Sequence, residues 1–112
     1  NQDFAGALQS YDAFLQRYPS SQYVANAHYW KAKTFQSLEQ YDQAIGEFQQ
    51  FRSGYATSKY VPHAMHEQAI CHVRLGQRDR AMTLLQELIR DYPMSGAADV
   101  AKQDIKKLQQ GN

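Results

Sequence analysis

Apolar residues recur with a helical period along nearly the whole chain. Phe4, Ala7, Leu8, Tyr11, Phe14, Leu15 and Tyr18 fall at i, i+3, i+4, i+7 spacing, which puts them on one stripe of an α-helix. Tyr41, Ala44, Ile45, Phe48, Phe51 and Tyr55 repeat that stripe, and Ala81, Leu84, Leu85, Leu88, Ile89 and Tyr92 repeat it again. The offset is constant: Ala7, Ala44 and Ala81 stand 37 residues apart, as do Tyr18, Tyr55 and Tyr92, Ser21, Ser58 and Ser95, and Ala27, Ala64 and Ala101. Ala32 matches Ala69, Phe35 matches His72 and Leu38 matches Leu75 at the same offset. A gapless period of this length identifies tandem structural units.

Each unit reads as two helices. The three stripes above are second helices. Two of them stop at Tyr18-Pro19 and Tyr92-Pro93, because proline disfavours helical geometry in the residue before it and has no N–H for the next bond. Gly54 is the expected terminator where proline is missing. Ser21, Ser58 and Ser95 are placed to cap the first helices that follow, which run to about Ser37, Leu75 and Gln109. Asp42 and Asp79 lie in first turns, where a carboxylate is favoured by the helix dipole, and Gly76 supplies a tight turn. The chain thus divides into a second helix of a truncated unit at 3–18, units at 21–55 and 58–92, and a capping helix at 95–109, all within one domain, 1–112. The expected fold is all-α, a solenoid of about six helices. Ala32 and Ala69 on first helices, and Ala7, Ala44 and Ala81 on second helices, leave room for backbones to approach while Phe, Tyr and Leu fill the gaps. A hairpin with two apolar sides must stack on a neighbour, and the product has an open groove.

These residues carry a resemblance. Ala32 stands at the small first-helix position of the tetratricopeptide repeat, Phe35 at its aromatic, Ala44 and Phe48 at its Ala and Phe, and Leu85 and Pro93 at its later Phe and Pro places. The chain departs from that pattern in its period of 37, against about 34. Phe51 and Leu88 replace a usual alanine, and His72 replaces an aromatic. A narrower likeness rests on Ala5-Gly6-Ala7-Leu8, Phe14, Tyr18-Pro19-Ser20-Ser21, Asn26-Ala27-His28-Tyr29-Trp30, Leu88-Ile89-Arg90-Asp91-Tyr92-Pro93 and the helix from Ala101 to Leu108. On these segments the chain resembles the C-terminal domains of the Tol-Pal-associated periplasmic family. That resemblance implies a periplasmic, non-catalytic scaffold that contacts a TolA-like partner and links envelope constriction to peptidoglycan synthesis in cell division. It also implies an intact protein that oligomerises through an N-terminal coiled coil outside these residues. Outer-membrane assembly lipoproteins similar to BamD share the motifs and give the alternative reading.

Composition narrows the picture further. The chain has 112 residues, 43% hydrophobic and 21% charged, a size that buries roughly two-thirds of the unfolded surface without disulfides or metal. Its single cysteine makes no internal disulfide. Twelve basic against eleven acidic residues leave a charge of +1, so no cationic surplus argues for nucleic acid. Apolar runs of a few residues, such as Leu88-Ile89, fall far short of the ~20 needed to span a bilayer. The opening on Asn1 suggests a mature fragment or an excised domain.

The polar residues offer few sites for chemistry. His63 and His66 are three apart on one helix with Glu67 nearby, but no third and fourth ligand converges, so polar surface residues are expected rather than a zinc site. A metal- or thiol-dependent enzyme using His63, His66 and Cys71 is the competing class. Against it, Cys71 and His72 are adjacent, hence about 100° apart around a helix, which spoils a nucleophile–base pair. Cys71 reads as a small core filler and His72 as a semi-buried, hydrogen-bonded ring. No phosphate loop or nucleophile elbow is present, and no enzyme and no cofactor is expected. Most aromatics lie on the buried stripes rather than on a base-stacking surface. Trp30 is expected in the core, with an interface anchor as the alternative. Lys102, Lys106 and Lys107 line the polar side of the capping helix.

Residues kept between units serve packing, so positions that vary are available to partners. On the first helices these are Asn26, His63 and Val100; Tyr29, His66 and Gln103; and Lys33, Ile70 and Lys107, with Gln36 and Arg74 extending the surface. The expected groove takes apolar contact from Tyr29 and Ile70, while Lys33, Arg74, His63 and His66 orient a polar or acidic peptide. The carboxylate clamp of chaperone-binding repeats is not reproduced, so capture of a free C-terminus is not expected. The open side of the helix from Phe4 to Tyr18 is the alternative working surface, with self-association as its consequence.

Overall fold

The computed structural model describes residues 4–19 and 23–110. These form six α-helices, α1 (Phe4–Arg17), α2 (Val24–Ser37), α3 (Tyr41–Gly54), α4 (Val61–Arg74), α5 (Arg78–Asp91) and α6 (Gly96–Gln109), with no strand among the described residues. Each helix packs on the next, and α4 also meets α6, giving a slab of 45 × 31 × 20 Å. First helices (α2, α4, α6) and second helices (α1, α3, α5) alternate, so the architecture is a stacked helical-hairpin solenoid.

Alternation of very small and very large side chains holds the stack together. Ala32, Ala44, Ala64, Ala81, Ala98 and Ala101 are fully buried, and Phe48, Phe51, Met65, Leu85 and Leu88 fill the space between them. Burying one such large side chain contributes about 1.5–3 kcal/mol. The stripe on α1 is the exception. Ala7, Tyr11 and Phe14 are only half-buried, whereas their counterparts in α3 (Ala44, Phe48, Phe51) and α5 (Ala81, Leu85, Leu88) are closed off. The cause is neighbourhood: α3 and α5 each lie between two first helices, while the main helix packing of α1 among the described residues is on α2.

The helix ends follow two designs. After α2 and α4 the chain turns through a left-handed residue, Glu39 (φ 60°) and Gly76 (φ 75°). The two turns share a bonding pattern: Gln40 N–H donates to Phe35 O (2.9 Å) and Glu39 N–H to Gln36 O (3.0 Å), matched by Gln77 to His72 (2.8 Å) and Gly76 to Val73 (3.0 Å). After α3 and α5 the chain instead leaves through a residue of negative φ, Tyr55 (φ −135°) and Tyr92 (φ −133°). Gly54 is therefore the last helical residue and not a left-handed terminator, correcting the sequence expectation. Of the three serines expected to cap, Ser95 does so, accepting from Ala98 N–H at 3.1 Å. Ser58 instead accepts from Tyr60 N–H at 3.1 Å inside the preceding turn, and α4 starts only at Val61. Ser21 lies outside the described residues. Trp30 is also corrected: it is 52% exposed, its ring edge-on to Tyr29 at 5.5 Å.

Candidate functional site: the first-helix face

Side chains from α2, α4 and α6 meet on one face in a repeating arrangement. Lys33 and Gln36 of α2 donate to the two carboxylate oxygens of Glu67 on α4, at 2.8 and 3.1 Å. One unit later, His66 Nε2 of α4 and Asp104 Oδ2 of α6 are 2.6 Å apart. Glu67 and Asp104 are equivalent at the repeat offset, so each reaches back to the preceding first helix from the same register. Trp30 occupies that register in α2. These pairs link successive first helices and partly neutralise the charge at the α2–α4 junction.

The α4–α6 junction opens into a cavity of about 490 Å³. Ile70 and Val73 of α4 and Val100 and Leu108 of α6 line it, with Leu85 of α5 behind. Val73 and Val100 stay 41% and 45% exposed at its mouth. The His66–Asp104 pair borders the cavity, as do Arg74 and Lys107, both exposed and without an ion-pair partner among the described residues. The result is an apolar slot flanked by two cations that form no ion pair among the described residues.

The eight residues expected from sequence to line the groove are distributed as follows. Ile70, Arg74 and His66 border the cavity. Lys33 and Gln36 are engaged with Glu67, and His66 with Asp104, so these three brace the helices. Asn26 and His63 are exposed on α2 and α4. Tyr29 is half-buried among Phe48, Phe51, Tyr60 and Trp30, with ring centroids 5.5–5.8 Å away. Burial first, then the charge of Glu67, pushes its phenol above the ordinary tyrosine value, so it stays neutral. Sequence reasoning missed the Glu67 and Asp104 braces. The signal was present, since Trp30, Glu67 and Asp104 vary at the 37-residue offset as the chosen sets do.

The chemistry-bearing residues outside this face are locked into packing. Cys71 is fully buried, and burial pushes its thiol from the ordinary 9.0 up to about 12. The His72 ring turns to Gln77, with Nδ1 and Oε1 at 2.7 Å. No group of three or more His, Cys, Asp or Glu side chains positioned to hold a metal occurs among the described residues. No described helix is long and apolar enough to cross a membrane.

Small-residue helix contacts, paired helices and an open first-helix face define a repeat scaffold for protein–protein interaction, and the chain belongs to the tetratricopeptide repeat family, which matches residues 26–58 and 63–95. Among curated relatives, the cell division coordinator CpoB of Pseudomonas putida strain KT2440 is 57% identical over 28 residues, and a second Pseudomonas putida protein of the same name matches equally. Those residues are 25% of this chain and 10% of each relative, so the match spans about a tenth of their length.

Proposed function

We propose that the α4–α6 slot is the docking site for a segment of a partner protein, one that inserts an apolar side chain and presents a carboxylate to Arg74 and Lys107. The observation that carries this reading is the exposed apolar lining directly beside two cations that lack a partner among the described residues. Such a slot takes an anchor residue by burial and orients it by charge, the usual division of labour at an interface. No bond is made or broken in this role. The braces Lys33–Glu67–Gln36 and His66–Asp104 keep the face preformed, which lowers the ordering cost of binding.

The likeness to the Tol-Pal-associated family and the short match to CpoB support a narrower reading: a periplasmic scaffold with a TolA-like partner, acting where envelope constriction is coordinated with wall synthesis. Calorimetric titration with the periplasmic domain of a TolA-type protein tests both levels. Ile70→Glu and Arg74→Glu should each weaken binding at least tenfold, corresponding to about 1.4 kcal/mol, with helical circular dichroism unchanged. Wild-type affinity in both variants would move the site elsewhere. Absence of binding by the wild-type chain would reject the TolA-like partner.

A further inference from the structure

The two edges of the stack differ in what they expose. Packed helices joined by short connections run antiparallel, so the α1–α2, α3–α4 and α5–α6 loops lie along one edge and the α2–α3 and α4–α5 turns along the other. The first edge exposes Tyr18 (48%), Tyr23 (57%), Tyr60 (39%) and Met94 (95%), and Trp30, two turns along α2 from Tyr23, flanks it. The turns of the second edge expose Glu39, Gln40, Arg78 and Asp79 instead. Packing does not account for the contrast. Met94 stands where the other units have Ser20 and Thr57, and at 95% exposure it adds almost nothing to the stack.

Charge along the first edge is one-sided. No Asp or Glu occurs in residues 13–38 or 48–66, the stretches that contain the α1–α2 and α3–α4 loops. Each of these loops carries an exposed cation over an exposed tyrosine: Arg17 Cζ lies 5.6 Å from the Tyr18 ring centroid, and Lys59 Nζ 5.6 Å from that of Tyr60. Neither Arg17 nor Lys59 forms an ion pair among the described residues. The lysines farther along α2 are engaged, Lys31 at 2.6 Å from Asp12 and Lys33 at 2.8 Å from Glu67. Carboxylates reach this edge at the α5–α6 loop, where Asp91 is held by Arg90 at 2.9 Å and Asp99 lies in the first turn of α6.

A tyrosine joins an apolar ring to a polar hydroxyl, which suits it to the boundary between hydrocarbon and water, and a cation beside it suits a lipid phosphate. These side chains stand on loop tips, and none of them lines the α4–α6 slot or the groove between α3 and α5. A folded partner would have to enclose each tip in a pocket of its own, whereas a fluid headgroup layer closes round them.

We propose that this edge is a peripheral contact to an anionic phospholipid surface. Tyr18, Tyr23, Tyr60 and Met94 enter the headgroup layer, and Arg17 and Lys59 meet lipid phosphates. The contact is shallow, since no described helix is long and apolar enough to cross a membrane. It uses none of the residues that line the α4–α6 slot, so either site can fail without the other.

The test is co-sedimentation of the chain with vesicles of phosphatidylglycerol and phosphatidylcholine in equal parts, compared with vesicles of phosphatidylcholine alone. Saturable binding to the anionic vesicles is expected, about fivefold or more weaker to the neutral ones and declining as salt is raised. Met94→Ser removes an apolar group without altering charge and should weaken binding about threefold or more. Lys59→Glu should weaken it about tenfold or more, whereas Arg80→Glu, an equal change of net charge at the opposite edge, should leave it within about twofold. All three side chains are exposed, so helical circular dichroism should be unchanged. Equal losses in Lys59→Glu and Arg80→Glu would overturn the proposal, as would equal binding to neutral vesicles or wild-type binding by Met94→Ser. A chain that ignores both kinds of vesicle would also overturn it and would leave the edge to a protein partner.

Discussion

Glu39 and Gly76 occupy the same place in successive turns, and only one of them is suited to it. Both have positive φ, a region that costs a residue with a Cβ about 1–2 kcal/mol and costs glycine almost nothing. Glu39→Gly is therefore expected to raise stability by about 1 kcal/mol in urea unfolding, after the extra unfolded-state entropy of glycine is set against the relief. A Cβ at Gly76 would meet nothing within 4 Å, so Gly76→Ala should lose a similar amount through the backbone alone. Gly76 was legible as a turn because glycine is its residue; Glu39 was not, since glutamate carries no such preference and only the repeat offset points to it. Cys71 gives a second test at this scale. With its thiol raised to about 12, the thiolate is scarce at pH 8, and alkylation by iodoacetamide should be at least a hundredfold slower than in urea-unfolded chain. The sign for stability follows: the unfolded thiol ionises from about pH 8.5 upward while the folded one does not, so this group's contribution is full below that pH and declines as pH rises towards 12. Rapid labelling of the folded chain would contradict the burial.

Helices were more readable than the residues that end them. Period and offset located all six, because apolar spacing and chain-wide repetition report the same geometry twice. Capping was less readable: Ser58 and Ser95 share a register but follow different turns, Tyr55 without a proline and Tyr92 with Pro93, and only Ser95 reaches an N–H of the next helix. Trp30 was misplaced for a related reason. Its stripe position looks like core, yet its register faces away from α4 toward the side where no described first helix lies. The same asymmetry sets an energetic contrast. Phe48→Ala and Phe51→Ala remove fully buried rings and should each cost about 3–5 kcal/mol, whereas Phe14→Ala, half-open on α1, should cost no more than about half of that. Equal losses at Phe14 and Phe51 in thermal unfolding would mean that α1 is covered as completely as α3.

As a whole, the molecule is a one-dimensional stack in which each helix depends on its immediate neighbours. Amide hydrogen exchange should accordingly be fastest in α1, which buries no residue fully, and slowest in α4, which touches α3, α5 and α6. The proposed interaction face belongs to this scale, and its geometry was only half visible in the chain. Variation between units pointed to the first helices, and Ile70 and Arg74 do border the slot; the pairing of Lys33, Gln36 and His66 with Glu67 and Asp104 depends on how far apart α2, α4 and α6 are set, which no local pattern states. The α4–α6 slot is the proposed seat of the partner. The direct measurement is methyl chemical-shift mapping of Ile70, Val73, Val100 and Leu108 during titration with the periplasmic domain of a TolA-type protein. Saturable shifts at the methyl groups of these four residues, abolished in the double variant Arg74→Glu, Lys107→Glu, are the predicted result; a complex that forms while all of them remain unmoved would contradict it.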